Sequence, residues 1–154
     1  MRISINQLRR IIKEEAKKVV RLRVVSGGDD AGSCPLPTQD LELNTKNRNA
    51  AIRAEHIEYG PLNLNDEEYW EHLADHWNTT VEVAKQSKCG NCAAFDISPR
   101  MDDCMPGRIQ KDGELGYCWM HKFKCHSERS CYTWAAGGPI EEDEVSYDWQ
   151  NKEQ

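Results

Sequence analysis

The chain has 154 residues, of which 38 % are hydrophobic and 30 % are charged, a composition that fits one ordinary domain with a modest core. No apolar run approaches the roughly 20 residues of a membrane-spanning helix, so the sequence predicts no membrane span. The net charge of -6 joins a basic N-terminal segment to a strongly acidic remainder, and that acidity argues against nucleic acid as a partner.

A basic amphipathic helix is predicted over residues 1–25, which carry eight Lys/Arg and two Glu. Ser4 begins a capping box, and Leu8, Ile12 and Val19 recur at helical spacing. Such a helix either docks by its apolar stripe, forms an arm that binds a protein partner, or serves as a removable leader.

The rest of the chain divides into three segments by composition. Residues 26–44 contain a Gly/Ser/Asp-rich run and predict a linker, in which Cys34 is a bystander. Residues 45–138 are expected to form the globular domain, and residues 139–154 an acidic, frayed tail that Tyr147 and Trp149 can anchor.

Three helices are predicted before the cysteine-rich region. They cover about 45–56, a second segment that begins near Asn65, and a third from Thr79 to about residue 86. The second helix carries an aromatic stripe that predicts core packing, formed by Tyr69, Trp70, Leu73 and Trp77. From residue 88 onward glycine and proline punctuate the chain, which favours turns with short strands.

Six of the seven cysteines lie within 43 residues, and their spacing predicts a metal site. Cys89 and Cys92 form a CxxC pair, Cys104 follows after eleven residues, and Cys118 after thirteen more. A CxxC turn places two thiolates on one arc, and two thiols from separate loops complete a four-sulfur site. We therefore expect Cys89, Cys92, Cys104 and Cys118 to be the metal ligands.

The third and fourth cysteines of this set stand alone, unlike the paired knuckles of a zinc ribbon. This difference favours a [4Fe-4S] cluster, whose ligands can arrive from separated loops. Zinc is the alternative cofactor, held by Cys89, Cys92, Cys118 and His121, because Cys118 and His121 form a CxxH knuckle. A disulfide or an inert cluster of thiols is the third interpretation.

Cys125 and Cys131 are the less favoured ligands. They form a mutual disulfide, bind a second metal with a histidine, or are plain buried thiols, and Cys125 also competes with Cys118 for the fourth ligand position. Aromatic residues concentrate around the cysteines and predict an apolar shell that excludes water, namely Phe95, Tyr117, Trp119, Phe123 and Trp134.

Residues 89–134 resemble the high-potential iron–sulfur protein family. The resemblance rests on the CxxC pair, on Cys104 before a Pro-Gly turn with basic Arg108, and on the aromatic Tyr117 directly before Cys118. It implies one [4Fe-4S] cluster on the four expected ligands and the function of a small one-electron carrier, with a redox partner.

The N-terminus has a second resemblance. Residues 7–15 resemble leaders of proteins from large marine tailed bacteriophages, and Ile12-Lys13-Glu14 is similar to the Ile-x-Glu sites cut by prohead proteases. This implies a phage-encoded protein built into the virion, whose iron–sulfur or zinc module is a structural staple. It is the alternative function.

No hydrolase or transferase motif is found, so we expect a protein that is not an enzyme and has no catalytic residues. Glu14 and Glu15 interrupt the apolar stretch that a signal peptide needs, which favours the host cytosol or the virion as the location. In a reducing cytosol dense cysteines favour metal binding over disulfides.

The expected fold is small, with α-helices and irregular loops. A helical N-terminal half is followed by a turn-rich C-terminal module, which has few short strands and is stabilised by a metal cluster.

Overall fold

The computed structural model describes residues 33–61 and 65–152. The basic helix expected over residues 1–25 lies outside them, as does the N-terminal part of the expected linker. Across the described ranges no helix is both long and apolar enough to cross a membrane.

Four α-helices precede the CxxC pair in the described part of the chain. They are Leu36–Gln39 (α1), Leu41–Arg53 (α2), Glu67–Trp77 (α3) and Val81–Gln86 (α4). Asp40 caps α2, since its side chain accepts a hydrogen bond from the N–H of Leu43 at 3.0 Å. Because α1 and the first turn of α2 occupy residues 36–44, the linker prediction is wrong for this stretch.

The aromatic stripe of α3 packs as the sequence predicts. Trp70 and Leu73 are fully buried and form a small core with Ala84 of α4, while Tyr69 and Trp77 pack at its margin. Asp66 caps the helix by accepting a hydrogen bond from the N–H of Tyr69 at 3.2 Å. This helical pair therefore has a core of its own beside the cysteine-rich region.

The cysteine-rich region contains a small antiparallel sheet. Its strands are Phe95–Asp96 (β1), Ile109–Gln110 (β2), Gly113–Cys118 (β3) and Phe123–His126 (β4), with helices Pro99–Cys104 (α5) and Asp143–Lys152 (α6). Strand β3 is central: β2 pairs with its first two residues, β1 with its last two, and β4 with its last four. The prediction of helices with a few short strands is confirmed.

The two faces of β3 contribute to different cores. Cys118 is paired with Phe95 and Phe123, so these three side chains share one face. The neighbouring Tyr117 points to the opposite face, where it packs edge-on against Trp119 at 4.8 Å between ring centroids. Strand alternation thus separates a cysteine-lined face from an aromatic one.

The C-terminal residues form a docked helix and not a tail. In α6, Ser146 is fully buried, and its hydroxyl accepts a hydrogen bond from Arg100 Nη1 at 3.1 Å. The guanidinium of Arg100 also lies 4.0 Å from the centre of the Tyr147 ring. The expected acidic tail over 139–154 is therefore wrong for residues 143–152, which these contacts hold against α5.

A buried carboxylate joins this helix to the sheet. Asp96 is 0 % exposed and accepts hydrogen bonds from the N–H of Ser98 at 2.9 Å and from Trp119 Nε1 at 2.8 Å. The hydroxyl of Ser146 donates to the same carboxylate. Donors from the residues after β1, from the residue after β3 and from α6 converge on Asp96, so this carboxylate holds the three segments together.

Replacing Asp96 with alanine is expected to lower the free energy of unfolding by roughly 3 kcal/mol or more, because several buried donors lose their acceptor at once. The control is Glu141→Ala, which removes a carboxylate from an exposed position. Chemical denaturation followed by tryptophan fluorescence measures the difference. Equal stability of the two variants would contradict a structural role for the Asp96 network.

Candidate metal centre

Five cysteines that form no disulfide surround one small cavity on the cysteine-lined face of the sheet. They are Cys89, Cys92, Cys118, Cys125 and Cys131. The cavity has a volume of about 20 Å³, and the remaining lining comes from Phe95, Met120, Thr133 and Trp134. Cys118 is half-buried and the other four are buried, so the thiols form part of the interior.

The CxxC pair is presented by a tight turn. A 3-10 turn spans Cys89–Asn91, and the N–H of Cys92 donates to the carbonyl of Cys89 at 2.9 Å. The N–H of Gly90 donates to the carbonyl of Ser127 at 2.9 Å, and a Cβ on Gly90 would lie only 3.1 Å from that oxygen. Glycine therefore lets the turn lie directly against the segment that leads to Cys131.

The hairpin of β3 and β4 brings Cys118 and Cys125 to the same cavity. Cys125 is paired with Gly116, so its side chain lies on the same face as that of Cys118, two residues along β3. A Cβ on Gly116 would lie 2.5 Å from the ring of Phe95. The missing side chain at Gly116 therefore makes room for Phe95 beside the two thiols.

Hydrogen-bond donors surround two of the sulfurs. The backbone N–H groups of Ala94 and Ala135 lower the pKa of Cys92, against the larger opposing effect of its burial. The hydroxyl of Thr133 lies 3.2 Å from the sulfur of Cys131, and its backbone N–H bonds to that sulfur as well. Donors of this kind stabilise thiolates and are typical of the surroundings of metal-bound sulfur.

Burial favours the neutral form of three of the thiols, those of Cys92, Cys125 and Cys131. Desolvation raises the pKa of Cys92, and it raises the pKa of Cys131 to about 12. Desolvation, followed by hydrogen bonds to Cys118 and Cys89, raises the pKa of Cys125 well above its ordinary value. Because metals bind thiolates, loading a metal here would release protons and would weaken as the pH falls.

Cys104, expected to be the third ligand, lies elsewhere. It is joined to Cys34 by a disulfide with an S–S distance of 2.07 Å. It packs with Tyr117 and Trp119, on the opposite face of β3 from the five thiols. Since a disulfide sulfur supplies no thiolate, the ligand prediction for Cys104 is wrong in this structure, and so is the bystander role of Cys34.

The aromatic shell is confirmed only in part. Phe95 and Trp134 line the cavity, and Phe123 belongs to the same core as the thiols. Tyr117 and Trp119 belong to the other core, because strand alternation turns them away. Trp134 also contacts the CxxC turn, since its Nε1 donates a hydrogen bond to the carbonyl of Lys88, the residue before Cys89, at 2.9 Å.

His121, the proposed alternative zinc ligand, is not among the residues that line the cavity. Its Nε2 lies 2.6 Å from the hydroxyl of Thr133, which in turn contacts the sulfur of Cys131. Within residues 33–61 and 65–152, no group of three or more His, Cys, Asp or Glu side chains is arranged to hold a single metal ion.

Comparisons of the chain with protein-family models, with curated proteins and with solved structures find no match. The chemistry of the site must therefore be inferred from its own residues. Sequence reasoning underrated Cys125 and Cys131, although one signal was available. Cys118 and Cys125 flank a short segment of a size that a β-hairpin closes, which would have placed both thiols together.

Proposed function

We propose that the protein binds a [4Fe-4S] cluster through four of the five cavity thiols and works as a one-electron carrier. The observation that carries the proposal is the convergence of five cysteines that lie outside the disulfide on one mainly apolar cavity. Free cysteines are often buried singly as small hydrophobic residues. Five of them from three separate chain segments, facing one cavity, exceed what packing alone requires.

The ligand set supported best is Cys89, Cys92, Cys118 and Cys131. The CxxC turn supplies two of these sulfurs, the hairpin supplies the third, and the segment after β4 supplies the fourth. This set keeps three of the ligands expected from the sequence and replaces Cys104 with Cys131. Four thiolates are the usual ligands of a four-iron cluster.

The size of the cavity bears on the choice between a four-iron cluster and a zinc ion. A volume of about 20 Å³ matches roughly one water molecule, so a four-iron cluster requires the thiol side chains to swing outward. A zinc ion needs less room and is the competing cofactor. Among the described residues no group of three or more His, Cys, Asp or Glu side chains is placed to hold a metal ion as the side chains stand, so either cofactor would require the thiols to move.

The residues around the cavity would set the reduction potential of a bound cluster. When bound, a [4Fe-4S] cluster supplies the transfer of a single electron between two protein redox partners. The N–H groups of Ala94 and Ala135 favour negative charge on Cys92, whereas Phe95 and Trp134 exclude water from the sulfurs. Hydrogen bonding and burial of this kind are the protein's means of setting a reduction potential.

A structural staple in a phage particle is the second candidate function. It is favoured by the place of the thiols in the fold, because four of them belong to the same buried cluster as Tyr59, Phe95 and Phe123. A metal centre at that position would stabilise the domain whether or not electrons pass through it.

The deciding experiment is metal analysis of the full chain purified without oxygen. We expect four iron atoms and four acid-labile sulfides per chain, following the stoichiometry of the cluster. One zinc and no sulfide per chain would contradict the electron-carrier proposal and favour the structural role. Reversible one-electron oxidation or reduction of the iron-loaded protein would support the carrier role, and redox inactivity would support the staple.

A further inference from the structure

The CxxC turn holds the backbones of Cys89 and Cys92 at a separation that a disulfide can bridge. The N–H of Cys92 donates to the carbonyl of Cys89 at 2.9 Å, which closes a hydrogen-bonded turn. The two ends of such a turn lie less than about 7 Å apart between Cα atoms, and a disulfide spans about 4.4–6.8 Å. The backbone therefore already allows a bond between these two sulfurs.

The side chains of the pair also face the same small space. Cys89 and Cys92 both line the cavity of about 20 Å³, and each is 8 % exposed. A void of that size matches roughly one water molecule, so a cofactor would enter only if side chains moved. A bond between two of the lining sulfurs needs no added atom, since rotation of the two side chains is enough to form it.

Hydrogen bonds on both sides of the turn hold its backbone in place. The N–H of Cys89 donates to the carbonyl of Arg129 at 2.7 Å, and the N–H of Ala93 donates to the carbonyl of Ala135 at 2.8 Å. Neither bond involves a cysteine side chain. The fold around the turn can therefore stay the same whether the two sulfurs are thiols or a disulfide.

The two cysteines of the β3–β4 hairpin are less suited to such a bond. Cys118 is paired with Phe123 and Cys125 with Gly116, so the two cysteines are diagonal neighbours on one face of the sheet. Residues in this relation lie about 7–8 Å apart, which exceeds the usual Cα separation in a disulfide. A bond between them would distort the ladder, so the CxxC pair is the favoured site of oxidation.

We propose that Cys89 and Cys92 are a redox-active dithiol that exchanges with disulfides of other molecules and closes into a Cys89–Cys92 disulfide. This activity goes beyond the proposed electron carrier and requires no metal. One thiolate of the pair attacks a sulfur of the partner disulfide, whose S–S bond breaks as a mixed disulfide forms and one partner thiol is released. The second cysteine then attacks the mixed disulfide, which forms the internal bond and releases the other partner thiol. The pair loses two electrons and two protons, and the partner gains both.

The test places the full, metal-free chain in glutathione buffers that range from fully reduced to fully oxidised. Remaining thiols are trapped with N-ethylmaleimide under denaturing conditions, and tryptic peptides are analysed by mass spectrometry without reduction. Residues 89–100 form one tryptic peptide that contains no other cysteine. In the oxidised buffer this peptide should lose both labels and be lighter by two hydrogen atoms, while Cys118, Cys125 and Cys131 keep their labels. Return to reduced glutathione should restore both labels.

Two serine variants provide matched controls. Cys92→Ser leaves Cys89 without its partner, so glutathione should remain attached to Cys89 as a mixed disulfide. Cys118→Ser removes a thiol from the same cavity and should still form the Cys89–Cys92 bond. Tryptophan fluorescence checks that both variants are folded before oxidation.

Two outcomes would overturn the inference. One is that Cys89 and Cys92 stay reduced in the fully oxidised buffer, and the other is that either of them pairs with Cys118, Cys125 or Cys131 instead. Both are read in the metal-free chain, so they are distinguishable from a failure of the proposed function. A wild-type chain purified without iron and sulfide would contradict the iron–sulfur proposal and leave the exchange result unchanged.

Discussion

Replacement of Cys89 by serine should abolish binding of the proposed iron–sulfur cluster and remove much of the stability that cluster binding would supply. Cys89 is buried, begins the CxxC turn and lines the cavity with the other four cysteines. We expect iron and sulfide per chain to fall about tenfold or more, because the variant lacks one of the four proposed ligand sulfurs. Stability should fall as well, because metal binding at a site that forms on folding contributes to the folding free energy. The unfolding free energy of the iron-loaded protein should fall by roughly 3 kcal/mol or more.

The matched control is the wild-type chain after its metal has been removed by a chelator under acid. Serine is nearly the size of cysteine, so Cys89→Ser and metal-free wild type should unfold at the same denaturant concentration. Metal analysis and urea denaturation of the three preparations complete the test. A Cys89→Ser variant with full iron content would contradict the assignment of Cys89 as a ligand.

Local patterns explain why part of the site could be predicted from the sequence. The CxxC pair needs only one turn, so its two sulfurs are close whatever the rest of the chain does. Cys118 could be placed because it ends a strand between aromatic neighbours, and the core role of Trp70 and Leu73 follows from helical spacing. These features depend on contacts within a few residues.

The errors in the ligand set and in the C-terminal tail involve contacts between distant segments. Cys34 and Cys104 are separated by 70 residues, and no periodic pattern indicates that they meet. Spacing also left open the face on which each cysteine lies, which the antiparallel register of β3 with β4 decides. Residues 143–152 have an acidic composition that is typical of a tail, yet Ser146 and its bond to Arg100 hold them as a helix.

Replacing the Cys34–Cys104 disulfide distinguishes between two ligand sets. The set expected from the sequence includes Cys104, whereas the set proposed from the structure has Cys131 in its place. If Cys104 were a ligand, replacing it would empty the metal site. In the structure it packs behind the sheet with Cys34, away from the five thiols. We therefore expect the double variant Cys34→Ser/Cys104→Ser to keep its full content of iron and sulfide.

The same double variant should nevertheless be much less stable than the wild type. A cross-link between residues separated by 70 positions restricts the unfolded chain, and the chain-entropy model puts the loss at about 4 kcal/mol. Urea denaturation of oxidised wild type, reduced wild type and the double variant measures it, and the last two should coincide. Loss of iron from the double variant would restore Cys104 to the ligand set, because the disulfide lies on the other face of β3 and its removal would leave all four proposed ligand sulfurs in place.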